Sequence, residues 1–134
     1  MLSVPELGEA VSVDAIEITE TLYYYDGPLI VLASLDGQSH YGHLMDRDGG
    51  CELFVYVPVG PELADDIKRD RIDLRDVLAG ADRALIVAFD EDGNWTARST
   101  TGSSLPEKWL PDPLTRLTLE GTVRAAQASQ SRSP

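Results

Sequence analysis

Four Asp-Gly pairs constrain this chain more than any other feature. Asp26-Gly27, Asp36-Gly37, Asp48-Gly49 and Asp92-Gly93 each sit between apolar or aromatic runs. Both residue types tolerate the positive φ that primed two-residue turns need, so each pair marks a hairpin. The runs between them read as strands. Residues 16–25 alternate with period two and are rich in β-branched and aromatic side chains, which fits a pleated surface. A short helix over the first half competes, because Ile18 and Leu22 are four apart. Residues 29–35, 39–45 and 52–57 are further strands.

After Gly60 the pattern changes. Pro61 suits the first turn of a helix, where its missing N–H costs little. The acids Glu62, Asp65 and Asp66 follow it, placed to favour the positive end of a helix dipole. Asp73 is an N-cap for a second short helix with an apolar face of Leu74, Val77 and Leu78, and Gly80 is its stop. Residues 84–89 and 95–100 return to strand character around Asp92-Gly93. Residues 102–113 read as irregular structure docked by Trp109 and Leu110, and residues 114–119 as a last strand or short helix. The expected fold is α+β: an antiparallel sheet of about five to six strands in a hairpin meander, with two short helices inserted between the fourth and fifth strands. Residues 1–13 are expected to be loosely ordered, 14–120 to form a single domain, and 121–134, rich in Ser, Gln, Ala and Arg, to be a disordered tail.

Charge narrows the function. The chain of 134 residues carries 23 acids against 11 Lys and Arg, a net charge of −12. No Lys or Arg precedes Arg47, whereas Glu6, Glu9, Asp14, Glu17, Glu20, Asp26, Asp36 and Asp46 do. Direct binding to nucleic-acid phosphates or to an anionic membrane draws on clustered cations, so neither is expected. An acidic surface keeps a small protein soluble, and it can also steer a basic partner. No run approaches the ~18 apolar residues of a membrane span. The N-terminal residues lack a basic and an apolar region, so no secretory signal is expected. Cys51 is alone and fits a reducing compartment, so the expected location is cytoplasmic.

Three segments, in order, carry a resemblance. Leu22-Tyr23-Tyr24-Tyr25-Asp26-Gly27-Pro28-Leu29, Leu53-Phe54-Val55-Tyr56-Val57-Pro58-Val59 and Ile72-Asp73-Leu74-Arg75-Asp76-Val77-Leu78 resemble an uncharacterised family of small bacterial domains. That family has a YDGP-like turn before an apolar strand, a YVPV-like strand end leading into a helix, and an IDLRD helix start. The resemblance spans roughly residues 16–100. It implies the α+β fold and a bacterial source, and it carries no activity.

Chemistry-bearing motifs are sparse. His40 and His43 are three apart on an expected strand, which sends them to opposite faces. With Cys51 they would make a metal site only through a bulge or turn, so no metal site is expected. Asp46-Arg47-Asp48-Gly49-Gly50 and Asp90-Glu91-Asp92-Gly93-Asn94 share the opening of a calcium loop but lack the full EF-hand spacing. Gly49-Gly50 has no following Lys-Ser/Thr for a phosphate loop, and Gly102-Ser103-Ser104 lacks the setting of a nucleophile elbow. No catalytic residue and no cofactor is therefore expected.

The tyrosine run offers a surface. On a strand Tyr23 and Tyr25 face opposite to Tyr24, and Tyr is enriched at interfaces. Glu17, Glu20, Tyr23, Tyr25 and Asp26 form the candidate interaction surface. The leading expectation is a non-enzymatic acidic protein-interaction module, in the manner of an immunity protein, antitoxin or accessory subunit, with a basic partner. The alternatives are a small-ligand binder or enzyme with a pocket between the sheet and the helices of residues 61–79, and a homo-oligomer formed through exposed sheet edges.

Overall fold

A computed structural model describes residues 8–24, 28–69, 71–111, 115–117 and 123–125. Its centre is a seven-stranded antiparallel sheet. The strands are β1 (Glu9–Val11), β2 (Ile16–Tyr24), β3 (Pro28–Leu35), β4 (Gln38–Asp48), β5 (Cys51–Pro58), β6 (Ala84–Phe89) and β7 (Trp95–Thr100). Their order is β1-β7-β6-β5-β4-β3-β2. Two helices, α1 (Pro61–Lys68) and α2 (Leu74–Ala79), follow β5. The α+β class with an antiparallel sheet is as expected. The strand count is higher, because Glu9–Val11 pairs with β7, and the helices therefore come after the fifth strand. Three residues with a single large apolar side chain give no periodic signal, which is why β1 escapes a reading by pattern. Two further strands, β8 (Thr115–Leu117) and β9 (Val123–Ala125), pair with each other; the rest of residues 118–134 lies outside the described residues.

The four residues between β1 and β2 set the shape. Seven strands laid flat at about 4.8 Å spacing put the outermost two about 29 Å apart. The five steps from Val11 to Ile16 span at most about 18 Å. The sheet must therefore curl until its ends approach, and the linker is held from both. Trp95 Nε1, on β7, donates to the Val13 carbonyl at 2.9 Å. Asp36, in the β3–β4 turn, accepts through Oδ1 from the Asp14 and Ala15 amides at 2.9 and 2.8 Å, and its own amide donates to the Ala15 carbonyl at 2.9 Å.

The curl gives the sheet two buried faces. Outside, Ile30, Tyr41, Leu53, Val55, Val57 and Ile86 pack under Ile67 of α1 and Leu74, Val77 and Leu78 of α2. Inside, Val31, Ala33, Leu35, Phe54, Tyr56, Leu85, Val87 and Ala97 form a second cluster. Alternation along β5 and β6 feeds both. Strand β2 changes allegiance partway. Ile16 joins the inner cluster and Leu22 the outer, although both are even-numbered. The register shifts between Ile18 and Glu20, a bulge at which Thr19 Oγ1 donates to the Leu32 carbonyl at 3.0 Å.

The helices obey their local signals. Pro61 opens α1, and the Asp73 side chain accepts from the Arg75 amide at 2.9 Å to cap α2. Gly80 ends α2 in a right-handed conformation, so positive φ is not its reason for being glycine. A Cβ there would lie 2.8 Å from the Asp76 carbonyl oxygen.

Candidate functional site

The surface residues singled out from the sequence divide. Glu17 and Glu20 are exposed on β2, the terminal strand of the sheet. Tyr23 turns toward the helix-side core, so it does not join them. Tyr25 and Asp26 lie outside the described residues. Glu20 Oε1 is 3.4 Å from Lys68 Nζ on α1; both groups are well exposed, and such a pair contributes little. Glu17 has no partner among the described residues. Between them stands Ile18, a large apolar side chain left 45% exposed. Not all of the early acids are available to a partner. Asp36 holds the β1–β2 linker, and Asp46 Oδ1 accepts from the Arg47 amide at 2.8 Å.

Ile18 also lines the rim of a cavity inside the curl, on the face away from the helices. The cavity has a volume of about 190 Å³ and is lined by Ile16, Ile18, Glu52, Phe54, Tyr56, Phe89 and Trp95. Glu52, Phe54 and Tyr56 are consecutive inward positions of β5. Phe89 and Trp95 face each other across the β6–β7 register. The rings form a chain of contacts: Phe54 stacks on Tyr56 at 5.6 Å, Phe89 meets Phe54 edge-on at 6.1 Å, and Trp95 meets Phe89 at 5.9 Å. Gly42, opposite Tyr56 on β4, makes room for the tyrosine ring.

Polar groups in this lining are few. The Trp95 N–H is committed to the Val13 carbonyl. Glu52 Oε2 accepts from Arg47 Nε at 3.2 Å, and both side chains stay about one-third exposed. Tyr56 is 1% exposed, and its hydroxyl has no hydrogen-bond partner among the described residues. Burial, and secondarily the Glu52 charge, hold that phenol well above its usual range. The pattern Glu52-x-Phe54-x-Tyr56 is visible in the sequence; its convergence with Phe89 and Trp95 depends on the curl.

The histidines sit apart from the cavity lining and from each other. His40 is buried, with Nδ1 2.8 Å from the Gln38 carbonyl. Burial lowers its pKa; the Gln38 bond opposes that shift and the Arg83 charge adds to it. His43 is on the other face, where the Tyr41 hydroxyl lies 3.0 Å from its Nδ1. Burial pushes His43 down to about 4. Either neutral tautomer completes this bond: Nδ1 accepts from the Tyr41 hydroxyl, or an Nδ1–H donates to it. Cys51 pairs with Asp48 and His40 with Pro58, so the cysteine and His40 are separated by about 23 Å of strand. Among the described residues no group of three or more His, Cys, Asp or Glu is placed to hold a metal ion.

Compared with protein-family models, curated proteins and solved structures, the chain shows no significant match. Among the described residues no helix is long and apolar enough to cross a membrane.

Proposed function

We propose that this chain is a non-enzymatic, acidic protein-interaction module whose partner presents a basic surface to the β2 edge. The observation that carries the reading is Ile18, 45% exposed on a terminal strand, with the exposed carboxylates of Glu17 and Glu20 beside it in sequence and directed to the strand's other face. An edge strand offers unpaired backbone groups to an incoming strand. An apolar anchor on one face of the strand and two charges on the other give such an addition both affinity and sign. The charges also argue against self-pairing. Antiparallel β2–β2 association centred on Ile18 and Thr19 sets Glu17 of each copy opposite Glu20 of the other, and like charges directly opposite destabilise a sheet. The groups that could carry catalysis are dispersed, with His40 and His43 on opposite faces and Cys51 remote from His40.

The test is capture from the native host by the wild-type chain and by a Glu17→Lys, Ile18→Lys, Glu20→Lys variant, with light scattering on both. A partner held by the wild type and lost by the variant is the expected result. Capture that survives the three substitutions, or an inert wild-type monomer that recovers nothing, refutes it. The aromatic cavity supports a second reading: a binding site for a small ligand, or for one side chain of a partner.

A further inference from the structure

We infer that the cavity between β2, β5, β6 and β7 binds an organic ammonium group carried on a short apolar stem. The inference rests on the second reading above and adds the chemistry of the ligand. Its size comes first. About 190 Å³ is the space of roughly six waters, below the ~300 Å³ at which drug-sized sites begin. A stem of about four carbons with a compact head fills it.

The lining then sets the charge. Four of its seven residues are aromatic, and their ring faces carry negative quadrupole potential, which attracts cations. Glu52 is its one ionisable carboxylate and an acceptor only. The lining contains no Lys, Arg or His. Its indole N–H is already used by Val13. An anionic head would face Glu52 with no cation in the lining to receive it. A neutral apolar molecule would leave the Tyr56 hydroxyl, 1% exposed and without a partner among the described residues, still unsatisfied. An ammonium can donate to the Glu52 carboxylate while its stem lies against Ile16, Ile18 and the rings. The net charge of −12 adds a field of the same sign. Arg47, on β4 and outside the lining, competes for Glu52 at 3.2 Å.

Two sources share this chemistry, a free alkylammonium and a lysine side chain of a polypeptide. Titrations are read from the fluorescence of Trp95 in a Trp109→Phe chain, which leaves Trp95 as its single indole. The probes are butylammonium chloride, butan-1-ol, sodium butyrate and Nα-acetyl-lysine N-methylamide, at fixed ionic strength. Saturable binding of butylammonium, at least tenfold weaker binding of butanol and none of butyrate are expected. Glu52→Gln should weaken butylammonium about tenfold, and Arg47→Gln should strengthen it several-fold. If the capped lysine binds tighter than butylammonium, the source is a polypeptide; the reverse order means a free cation. Butanol or butyrate binding as tightly as butylammonium overturns the ammonium assignment and keeps a ligand site. No response to any probe overturns both.

Discussion

Replacing Gly42 by Ala tests how the inner face is packed. A Cβ at Gly42 would stand 2.4 Å from Tyr56 Cε1, 2.6 Å from Tyr56 Cδ1 and 2.9 Å from Val31 Cγ2. Val31 is wholly buried and Tyr56 nearly so, so neither can swing out into solvent, and the ring can yield only toward the cavity it lines. Forcing a methyl into a packed interior costs about 1–3 kcal/mol. Alanine regains about 0.5–1 kcal/mol over glycine inside a strand, because it loses less backbone freedom on folding. The expected net loss is at most about 2.5 kcal/mol, a fall in Tm of up to about 10 °C at about 4 °C per kcal/mol.

Urea denaturation of four chains isolates the cause: wild type, Gly42→Ala, Tyr56→Leu and the double variant. With the ring gone, Gly42→Ala should become neutral or stabilising, which gives a coupling of about 1–3 kcal/mol between the sites. The ring's line of relief leads into the cavity, so Gly42→Ala alone should also weaken butylammonium binding. A Gly42→Ala change that is neutral in both backgrounds refutes the reasoning. So does an equal loss in both backgrounds, which would place the cost in the backbone and not in the ring.

Three further outcomes follow from the same structure. Asp36→Ala should cost about 0.5–1.5 kcal/mol, since it removes the acceptor of two exposed linker amides and leaves a less tolerant residue at φ +51°; Asp36→Asn, which keeps an acceptor oxygen and tolerates that φ, should cost less than half as much in the same melts. His43 has a folded pKa of about 4 against an ordinary 6.5, so the unfolded chain binds more protons between these values. Its contribution is complete above pH 6.5 and is lost as pH falls through 4, by at most about 1.4 kcal/mol per unit; His43→Gln should flatten denaturation midpoints across that window, and an unchanged slope would locate the acid sensitivity elsewhere. Arg75 Nη1 donates to the Pro111 carbonyl at 3.0 Å and Nη2 pairs with Glu107; Arg75→Ala should speed amide exchange in residues 102–111 before it changes global stability, whereas Glu107→Gln, at a side chain 75% exposed, should do little.

The four Asp-Gly pairs show how far a local signal reaches. Asp36-Gly37 behaves as its composition implies: φ is +51° and +85°, and Leu35 pairs with Gln38, a two-residue turn. At Asp48-Gly49 the turn is displaced by one residue. Asp48 pairs with Cys51, so Gly49-Gly50 are the central residues and Asp48 ends a strand. Asp92-Gly93 lies in a five-residue loop, where the Asp90 carboxylate accepts from the Asp92 and Asn94 amides at 2.9 and 3.0 Å. Asp26-Gly27 is outside the described residues. A dipeptide states that positive φ is tolerated. Which residue takes it depends on strand register, and register is decided by which side chains must be buried on each face.

The same limit explains what was legible of the site. Alternation along β5 puts Glu52, Phe54 and Tyr56 on one face whatever the tertiary structure. That this face is the inside of a curl follows from a four-residue linker between opposite ends of the sheet, and the linker cannot be recognised until β1 is known to be a strand. Both faces of β5 are buried, so its run of Leu53 to Val57 carries no polar alternation to reveal which side holds a cavity. Gly42 is the sharpest case. A glycine within a strand reads as weakness or a bulge, yet β4 shows no register shift there. The missing Cβ is the space the Tyr56 ring occupies, and the ring's position in turn forms one wall of the cavity. The residue that most directly shapes the candidate site therefore has no side chain, and it is identified only through its cross-strand neighbour.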